Sequence, residues 1–453
     1  MSEAVVGFRE QIKYLESRGW LRRVKREVSP VFEISALAKK LENGPALLFE
    51  NVKDSTMPLV VNTDFSRECI AACLGVNPFE LTEKFKKALE CPVPPIKVSD
   101  GPIREVIKKG GFDLTKDLPV PVHYEKDAGP YITSGLVIVE VPQRGIRNVS
   151  YHRLQVAGPN ELRLLIQPRH LYQIFREAEA EGRPLDVAVV IGSDTALRLA
   201  GATWGSKVPL GMDELAIAGG LRGVPYHITK CDSVDIWVPS DAEIVLEGKI
   251  LPGKREKEGP FAEFTGCYGE TWMNPVMEVV AMMHRREPIY QDLLTFSPEH
   301  HLLLSIPYEP VVLETVRSYV PGVRAVNITP GGCGKFHVVV SLEKQHEGDA
   351  KDAILATFCS VRDIKLVIVV DEDINPFDMR DVEWAVATRF QADRDLVIIE
   401  GAKGNELDPS CPELALTAKL GLDATKTLSR RERYQKASIP GLKELRVQDY
   451  LDL

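Results

Sequence analysis

The segment Leu136-Val-Ile-Val-Glu-Val141 decides the fold class, because it is a short and almost continuous run of apolar, mostly β-branched residues. Such a run has the length and composition of a buried strand. Strand-like segments follow it to about residue 290, and a hairpin is predicted where 148–156 and 162–166 flank the turn Gly158-Pro159-Asn160. Many short strands with few helices predict a barrel or a sandwich in the middle of the chain.

Helical patterns precede this β-rich part. Apolar residues recur at helical spacing in 8–18 and 32–41, and Asn77-Pro78 is a typical helix start because asparagine caps and proline fits the first turn. Proline-rich segments at 91–96 and 118–122 then read as extended connectors. They indicate a boundary between a small N-terminal α/β region and the strands.

Strands and helices alternate again between about 324 and 400, which predicts a C-terminal α/β domain of βαβ type. The tail from Glu406 is polar and rich in turn residues, with one helix predicted at 442–451. The sequence therefore predicts an α/β multidomain protein whose regions are 1–115, 116–300 and 301–453.

The composition argues against several classes of partner. The chain has 453 residues, 44% hydrophobic content, a net charge of −9 and a pI near 5.7. Its basic runs, Lys254-Arg255 and 430–433, are too short for the basic face of a nucleic-acid-binding protein. No apolar run approaches the ~20 residues of a membrane helix, no signal peptide is evident, and no cysteines form a CxxC pair. We expect a reduced, cytoplasmic protein without nucleic-acid or membrane partners.

Three polar segments interrupt the strand pattern and are candidates for a functional site. Residues 148–156 combine an amide, hydroxyls, an imidazole and a guanidinium, and 165–170 end a strand with His170 at a helix start. Residues 257–263 place two glutamates around a Gly-Pro turn. Polar residues that break a periodic pattern at strand ends are often site residues.

The glutamates of Glu258-Gly-Pro-Phe-Ala-Glu263 allow two interpretations. Glycine and proline can aim both carboxylates into one pocket, where their pKa values separate so that one holds a proton and acts as an acid. An arginine between them would keep the other charged. The alternative is a surface turn with two solvated glutamates, and the residues alone do not decide.

Taken in order, these segments resemble the motifs of the UbiD decarboxylases. The matching parts are 148–153, the Ile-x-Pro-x-His that ends at His170, Asp213-Glu214, and 258–263. The resemblance spans nearly the whole chain. It implies a central split β-barrel of the flavin-reductase type that binds the cofactor, and a C-terminal α/β domain through which the protein forms oligomers.

The resemblance also implies the catalytic residues. Glu258, Arg153 and Glu263 correspond to the family's Glu–Arg–Glu network. Glu263 would give a proton to the carbon that loses CO2, Arg153 would neighbour the substrate carboxylate, and Glu258 would hold Arg153. Asn148 and Arg153 lie five residues apart, so a regular strand would place them on opposite faces. If both serve one cofactor, the strand must bend or the two must reach different ends of it.

The implied cofactor is prenylated FMN, supplied by a flavin prenyltransferase, which forms a covalent adduct with the substrate and accepts electrons as CO2 leaves. Asn148, His170 and Glu214 would bind a divalent ion with the cofactor phosphate, and this donor set suits Mn2+ or Mg2+. Glu214 and the backbone of 204–206 would bind a monovalent cation, K+ or Na+. The positions implied to contact the cofactor are Asn148, Ser150, Tyr151, His152, Arg153, Arg169, His170, Ser206, Lys207 and Glu214.

The implied activity is the reversible, non-oxidative decarboxylation of a small carboxylic acid. The acid would be aromatic, heteroaromatic (furan- or pyrrole-like) or α,β-unsaturated, and the enzyme a homo-oligomer, dimer or hexamer. His300 and His301 are candidate substrate residues in the family's pocket, and the open alternative is a pair of polar surface histidines.

Two other functions compete with this one. The first is an FMN-dependent oxidoreductase of the flavin-reductase kind, and the second is a non-catalytic subunit of a decarboxylase complex. Glu258, Arg153 and Glu263 argue against the oxidoreductase, because hydride transfer needs no such proton network. The presence of all three network positions argues against a non-catalytic subunit. The segment Thr329-Pro-Gly-Gly-Cys-Gly-Lys335 is not a phosphate loop, since Phe336 stands where the Ser/Thr belongs, and a tight turn between strands is predicted.

Overall fold

A nine-stranded antiparallel sheet forms the middle of the chain in a computed structural model, which describes residues 3–203, 208–411, 415–441 and 444–450. Its two longest strands, Ile244–Glu258 and Trp272–His284, pair along most of their length. The other strands are Val106–Lys108, Tyr131–Ile132, Leu136–Val141, Ile146–Tyr151, Leu154–Val156, Glu161–Leu164 and Leu185–Ile191.

This sheet curls until its two ends approach each other. The path of strand pairs runs from Tyr131–Ile132, which pairs with Leu154–Val156, to Ile146–Tyr151 at the far end. Only His152 and Arg153 connect Ile146–Tyr151 to Leu154–Val156. Three Cα steps span at most ~11 Å, so the opposite ends of the sheet are drawn together at these two residues. Below we call this place the seam.

Both faces of the sheet are buried, which explains its apolar strands. Along Leu136–Val141, Val137 and Val139 belong to one hydrophobic cluster, whereas Leu136 and Ile138 belong to another. Successive side chains of a strand point to opposite faces, so both must be apolar when both are covered. The covering helices are Leu114–Asp117, His170–Ala180, Thr195–Gly201 and Glu214–Arg222.

The N-terminal region forms a four-stranded sheet of Leu21–Val24, Ala46–Phe49, Leu59–Val61 and Tyr290–Gln291. The last strand returns from the end of the central region and pairs in parallel with Leu59–Val61. The N-terminal sheet is therefore tied to the central region by backbone hydrogen bonds. Its helices are Phe8–Ser17, Glu33–Lys40, Arg67–Cys73 and Leu81–Glu90.

The C-terminal region is a five-stranded sheet with helices packed against it, as predicted. In sheet order the strands are Val323–Ile328, His337–Leu342, Leu366–Asp371, Leu416–Ala424 and Leu396–Lys403. The helices are Pro298–Ser305, Glu309–Tyr319, Asp349–Ser360 and Met379–Arg389. The α/β three-domain architecture expected from the sequence is confirmed.

The tail beyond Glu406 differs from the prediction. The strand Leu416–Ala424 lies between two other strands of the sheet. Backbone pairing with these two neighbours makes it a strand, although its polar composition did not predict one. The helix predicted at 442–451 is represented, within the described part of that range, by a 3-10 turn at Val447–Asp449. Residues 442–443 and 451–453 lie outside the described residues.

The helix Glu214–Arg222 contains two consecutive glycines, Gly219 and Gly220, in its interior. The reason is close packing, because a Cβ at Gly219 would meet the carbonyl oxygen of Val93 at 2.4 Å. The helix ends at Gly223, whose φ of 80° suits glycine.

None of the helices formed by the described residues is long and apolar enough to cross a membrane. The segment 329–335 is a turn between two antiparallel strands, so the predicted alternative to a phosphate loop is confirmed.

Candidate active site

The site begins at the seam of the central sheet. Strand Ile146–Tyr151 carries Asn148, and the chain then leaves that strand at His152 and Arg153 before entering Leu154–Val156. The chain therefore bends between Asn148 and Arg153, as their five-residue spacing requires if both residues serve one cofactor. It frees Arg153 from the alternation of one strand and directs it towards Glu258, at the end of Ile244–Glu258, and towards Glu263.

Arg153 joins the two glutamates that the sequence singled out. Its Nε and Nη2 donate to Oε1 and Oε2 of Glu258 at 2.9 and 2.8 Å, which is a bidentate ion pair. Its Nη1 donates to Oε1 of Glu263. The side chains of Arg153, Glu258 and Glu263 are 8, 0 and 13% exposed. The interpretation as a surface turn with two solvated glutamates is therefore wrong.

Glu258 is held by more groups than the sequence predicted. The Tyr131 hydroxyl donates to its Oε1 at 2.9 Å, and the Asn274 amide donates to its Oε2 at 2.7 Å. The turn that follows needs glycine, because Gly259 has a φ of 91° and a Cβ there would meet a carbonyl oxygen at 2.7 Å. Asn274 could have been found from the sequence, because it is a polar residue in an otherwise apolar strand. Nothing in the sequence pointed to Tyr131.

Burial separates the protonation behaviour of Glu263 from that of a solvated glutamate. Loss of solvent raises the pKa of Glu263, the Arg153 guanidinium opposes this, and the nearby Glu258 carboxylate raises it further. The net direction is upward. A carboxyl with a raised pKa can keep a proton closer to neutral pH, which is what a general acid needs.

Asn148 and Glu214 meet on the other side of the seam. The Asn148 amide donates to Oε1 of Glu214 at 3.0 Å, and the backbone N–H of Val149 donates to Oε2 at 2.8 Å. Burial raises the pKa of Glu214 to about 8. The neighbouring Arg147 donates to Asp213 instead. Glu214 is thus a buried carboxylate without an ion-pair partner among the described residues, and a bound cation would offset that cost.

Three further predicted positions lie along the seam. Ser150 Oγ is 3.1 Å from both the Asn148 amide oxygen and His152 Nε2, and its single proton can serve only one of them at a time. His152 Nδ1 donates to the Leu165 carbonyl at 3.1 Å, and burial lowers the pKa of His152 to about 4. Among the described residues the hydroxyl of Tyr151 is buried without a hydrogen-bond partner.

The structure describes some, but not all, of the remaining candidate residues for binding the cofactor and the metal. His170 begins the helix His170–Ala180 directly after Arg169, and burial lowers the pKa of His170, which favours the neutral imidazole that a metal requires. Ser206, Lys207 and the backbone of 204–206 lie outside the described residues. Within the described part of the chain, no group of three or more His, Cys, Asp or Glu side chains is arranged so that it could hold a metal ion. The predicted metal set does not contradict this finding, because one of its three donors is an amide.

His300 and His301 are not polar surface residues. His301 is 6% exposed, and its Nε2 lies 2.8 Å from the carbonyl oxygen of Phe264, to which it donates. His300 Nδ1 accepts from the backbone N–H of Phe296 at 3.3 Å, so the proton of a neutral His300 is on Nε2. Burial lowers the pKa of both imidazoles. His301 therefore secures the loop after Glu263, while His300 keeps a donor available.

Comparison with known proteins identifies the family of the chain. Three family models of the 3-octaprenyl-4-hydroxybenzoate carboxy-lyase match successive parts of the chain: the N-terminal domain at 12–89, the Rift-related domain at 96–298 and the C-terminal domain at 301–424. A relative named anhydromevalonate phosphate decarboxylase, from Methanosarcina mazei, is 41% identical and covers 96% of this chain and 99% of its own.

Two solved structures are similar over nearly the full length. The UbiD-class enzyme HmfF from Pelotomaculum thermopropionicum in complex with FMN is 48% identical with a TM-score of 0.95, and the match covers 98% of this chain and 100% of that one. An evolved dimeric form of HmfF in complex with prFMN is 46% identical with a TM-score of 0.90 and the same coverage. On this evidence the chain belongs to the UbiD family of decarboxylases and is a carboxy-lyase.

Proposed function

We propose that this protein catalyses the reversible, non-oxidative decarboxylation of a carboxylic acid whose acid-bearing carbon is aromatic, heteroaromatic or α,β-unsaturated, with prenylated FMN as cofactor and Glu263 as proton donor. The observation that carries the proposal is Arg153, which is buried, held bidentately by Glu258 and bonded to Glu263. A hydride-transfer enzyme has no use for this buried proton network, so we place the reductase function second.

The residues of the chain fit a cofactor with an ion-bound phosphate. Glu214 is a buried carboxylate that no described cation neutralises, the Asn148 amide is hydrogen-bonded to it, and burial lowers the pKa of His170, which favours its neutral form. These three side chains would bind Mn2+ or Mg2+ together with the phosphate, and Glu214 would also bind K+ or Na+. Prenylated FMN, when bound, supplies the electron sink that accepts the electron pair of the breaking bond.

The chain itself positions the substrate and moves one proton. Arg153 presents its guanidinium to the substrate carboxylate, while Glu258, Tyr131 and Asn274 keep that guanidinium from turning away. When the carbon–carboxylate bond breaks and CO2 departs, Glu263 gives its proton to the carbon. In the carboxylation direction the same carboxylate takes that proton back, so no oxidant or reductant is consumed.

The proposal is tested first by identifying the cofactor that the protein binds. The protein is co-expressed with a flavin prenyltransferase, purified without oxygen, and its bound small molecule is identified by absorption and mass. We expect prenylated FMN in stoichiometric amount, followed by CO2 release from members of a panel of aromatic, heteroaromatic and unsaturated acids. Ordinary FMN or no flavin, with a competent control enzyme in the same host, would contradict the proposal, and NAD(P)H oxidation would then support the reductase. Stoichiometric cofactor without turnover of any acid would favour the non-catalytic subunit.

We also propose that the protein is a cytoplasmic homo-oligomer that associates through the C-terminal α/β domain. One solved relative is described as a dimeric form, which supports assembly but not its size here. Light scattering after size exclusion should give a mass of two or six chains of 50.4 kDa. A monomer at working concentration would contradict this.

A further inference from the structure

The proposed proton donor lies in a hairpin that is separate from the large central sheet. Glu263 directly follows the strand Phe261–Ala262, which pairs with Tyr268–Gly269 in a sheet of two strands, each two residues long. The Glu263 N–H donates to the carbonyl oxygen of Cys267 at 2.9 Å within the same hairpin. A two-stranded hairpin of this kind is at best marginally stable by itself. Contacts with the rest of the protein must therefore hold Glu263 in place.

Asp127 makes the contact that lies directly before Glu263. Its N–H donates to the carbonyl oxygen of Tyr124 at 3.1 Å, and the Tyr124 N–H donates to its Oδ2 at 3.0 Å, so these two bonds close the turn at 124–127. The other carboxylate oxygen, Oδ1, accepts from the backbone N–H of Ala262 at 2.9 Å. Hydrogen bonds to a charged acceptor are stronger than those between neutral groups. The carboxylate therefore ties the hairpin to this turn.

The turn that carries Asp127 is itself anchored. The Tyr124 hydroxyl donates to the carbonyl oxygen of Thr295 at 2.5 Å. At the other end, the side-chain amide of Gln155, from the central sheet, donates to the carbonyl oxygen of Ala128 at 3.1 Å. Asp127 thus presents its carboxylate from a fixed turn rather than from a free loop.

The chain on the other side of Glu263 is held as well. His301 Nε2 donates to the carbonyl oxygen of Phe264 at 2.8 Å. The residue before Glu263 is therefore fixed through its N–H, and the residue after it through its carbonyl group. Loss of solvent raises the pKa of Asp127, and the backbone N–H groups that bond to its carboxylate oppose this rise. The carboxylate is thus kept partly out of water at the point where it meets the hairpin.

We infer that Asp127 is a positioning residue for the proton donor: by holding Ala262, it fixes where the carboxyl group of Glu263 stands relative to Arg153 and to the carbon that receives the proton. This rests on the proposed function, in which Glu263 gives that proton. Arg153 binds Glu263 by a single hydrogen bond, which leaves the direction of the carboxyl group to the backbone. A displacement of about 1 Å at a reacting group can cost roughly 100-fold in rate.

The first test measures turnover of enzyme with verified prenylated FMN. Asp127→Ala removes both acceptor oxygens and should lower kcat by about 10- to 100-fold while KM changes little. Asp127→Asn keeps one oxygen of the same reach and should lose less; it also carries the test if the alanine variant does not fold. The matched control is Asp349→Ala, because Asp349 Oδ2 accepts from the backbone N–H groups of Gln345 and His346 at 2.8 and 2.9 Å, at the start of a helix in the C-terminal region. It should lose stability and keep full kcat.

Two further measurements separate positioning from general damage to the site. A loosened hairpin admits water to Glu263 and lowers its raised pKa, so the decline of decarboxylation with rising pH should begin at a lower pH in Asp127→Ala than in the wild type. In the Glu263→Gln background, Asp127→Ala should reduce kcat little further, because losses are not additive when one residue acts through the other. Losses that multiply, or a pH limb that does not move, would overturn the inference.

Hydrogen exchange gives a readout that needs neither cofactor nor turnover. The Ala262 N–H should exchange about tenfold faster or more in Asp127→Ala than in the wild type, because it loses a bond to a charged acceptor. In Asp349→Ala the accelerated amides should instead be those of Gln345 and His346. Unchanged exchange at Ala262, or full kcat in Asp127→Ala, would overturn the inference. Failure of the proposed function would differ, because it would appear as full turnover in Glu263→Gln or as absence of prenylated FMN.

Discussion

Replacing Glu263 by glutamine tests the proton-donor role with little change of shape. Glutamine keeps the length and one oxygen of the side chain, but it has no acidic proton and no charge. Arg153 makes two hydrogen bonds with Glu258, at 2.9 and 2.8 Å, and only one with Glu263. The guanidinium therefore stays anchored when Glu263 changes, and the amide oxygen can still accept from it.

The structure sets different magnitudes for stability and for turnover. The hydrogen bond from Arg153 keeps its charged donor but loses its acidic acceptor, so we expect Glu263→Gln to lower the free energy of unfolding by about 1 kcal/mol. A positioned general acid contributes roughly 10²- to 10⁴-fold to a rate. Turnover should fall by that factor, which corresponds to about 3–5 kcal/mol of activation free energy.

The assay measures CO2 release by enzyme that carries a verified amount of cofactor, together with chemical denaturation of the same preparation. A matched control is Glu177→Gln, because Glu177 also accepts one arginine hydrogen bond, from Arg144 at 2.7 Å, but lies on the surface. The control should retain full turnover. Wild-type turnover in Glu263→Gln, at full cofactor content, would remove Glu263 from the proton-donor role.

The pH profile gives a second check on the same residue. Burial raises the pKa of Glu263, and a general acid is active only while protonated. Decarboxylation should therefore decline as pH rises through this raised pKa, above the range of an ordinary glutamate. That limb should be missing from the residual activity of Glu263→Gln. An identical limb in the variant would assign the titration to another group.

Three further predictions concern the seam and its surroundings. Tyr131→Phe removes the 2.9 Å bond to Glu258 and the 3.1 Å bond from the Gly259 N–H, so urea unfolding should show a loss of about 1–2 kcal/mol, and an unchanged midpoint would contradict it. Gly259→Ala forces alanine to a φ of 91° against the carbonyl oxygen of Glu270 at 2.7 Å, and we expect about 1–3 kcal/mol of destabilisation with loss of turnover; full turnover would refute the need for this turn. His152 is neutral in the folded protein, with its pKa lowered from 6.5 to about 4, whereas the unfolded chain binds the proton near 6.5. Stability should therefore fall as pH drops from about 6.5 to 4, by up to about 3 kcal/mol, and His152→Gln should lose this pH dependence.

The sequence predicted the secondary structure correctly where the residues of a segment determine that structure by themselves. The run Leu136–Val141 is a strand because apolar, β-branched residues fit a sheet covered on both faces, and the structure places alternate residues in different clusters. The alternation after residue 324 likewise predicted the C-terminal domain. The strand Leu416–Ala424 escaped detection because its order comes from its neighbours in the sheet.

The sequence by itself also determined which residue types could do the chemistry. The motifs around Arg153, Glu258 and Glu263 stand at places where polar residues interrupt a regular pattern. Yet spacing along the chain could not tell a solvated turn from a buried pair. Glu258 is 105 residues from Arg153, and only the pairing of the long strands brings the two within hydrogen-bonding distance.

Tertiary structure alone decided what completes the site. Tyr131 and Asn274 converge on one carboxylate from separate strands. Neither belongs to the motif that it serves, because each is brought there by the pairing and curvature of the sheet. Burial also redirected the ionisable groups: the same glutamate that would be an ordinary anion in water becomes, at the seam, a carboxyl able to hold a proton.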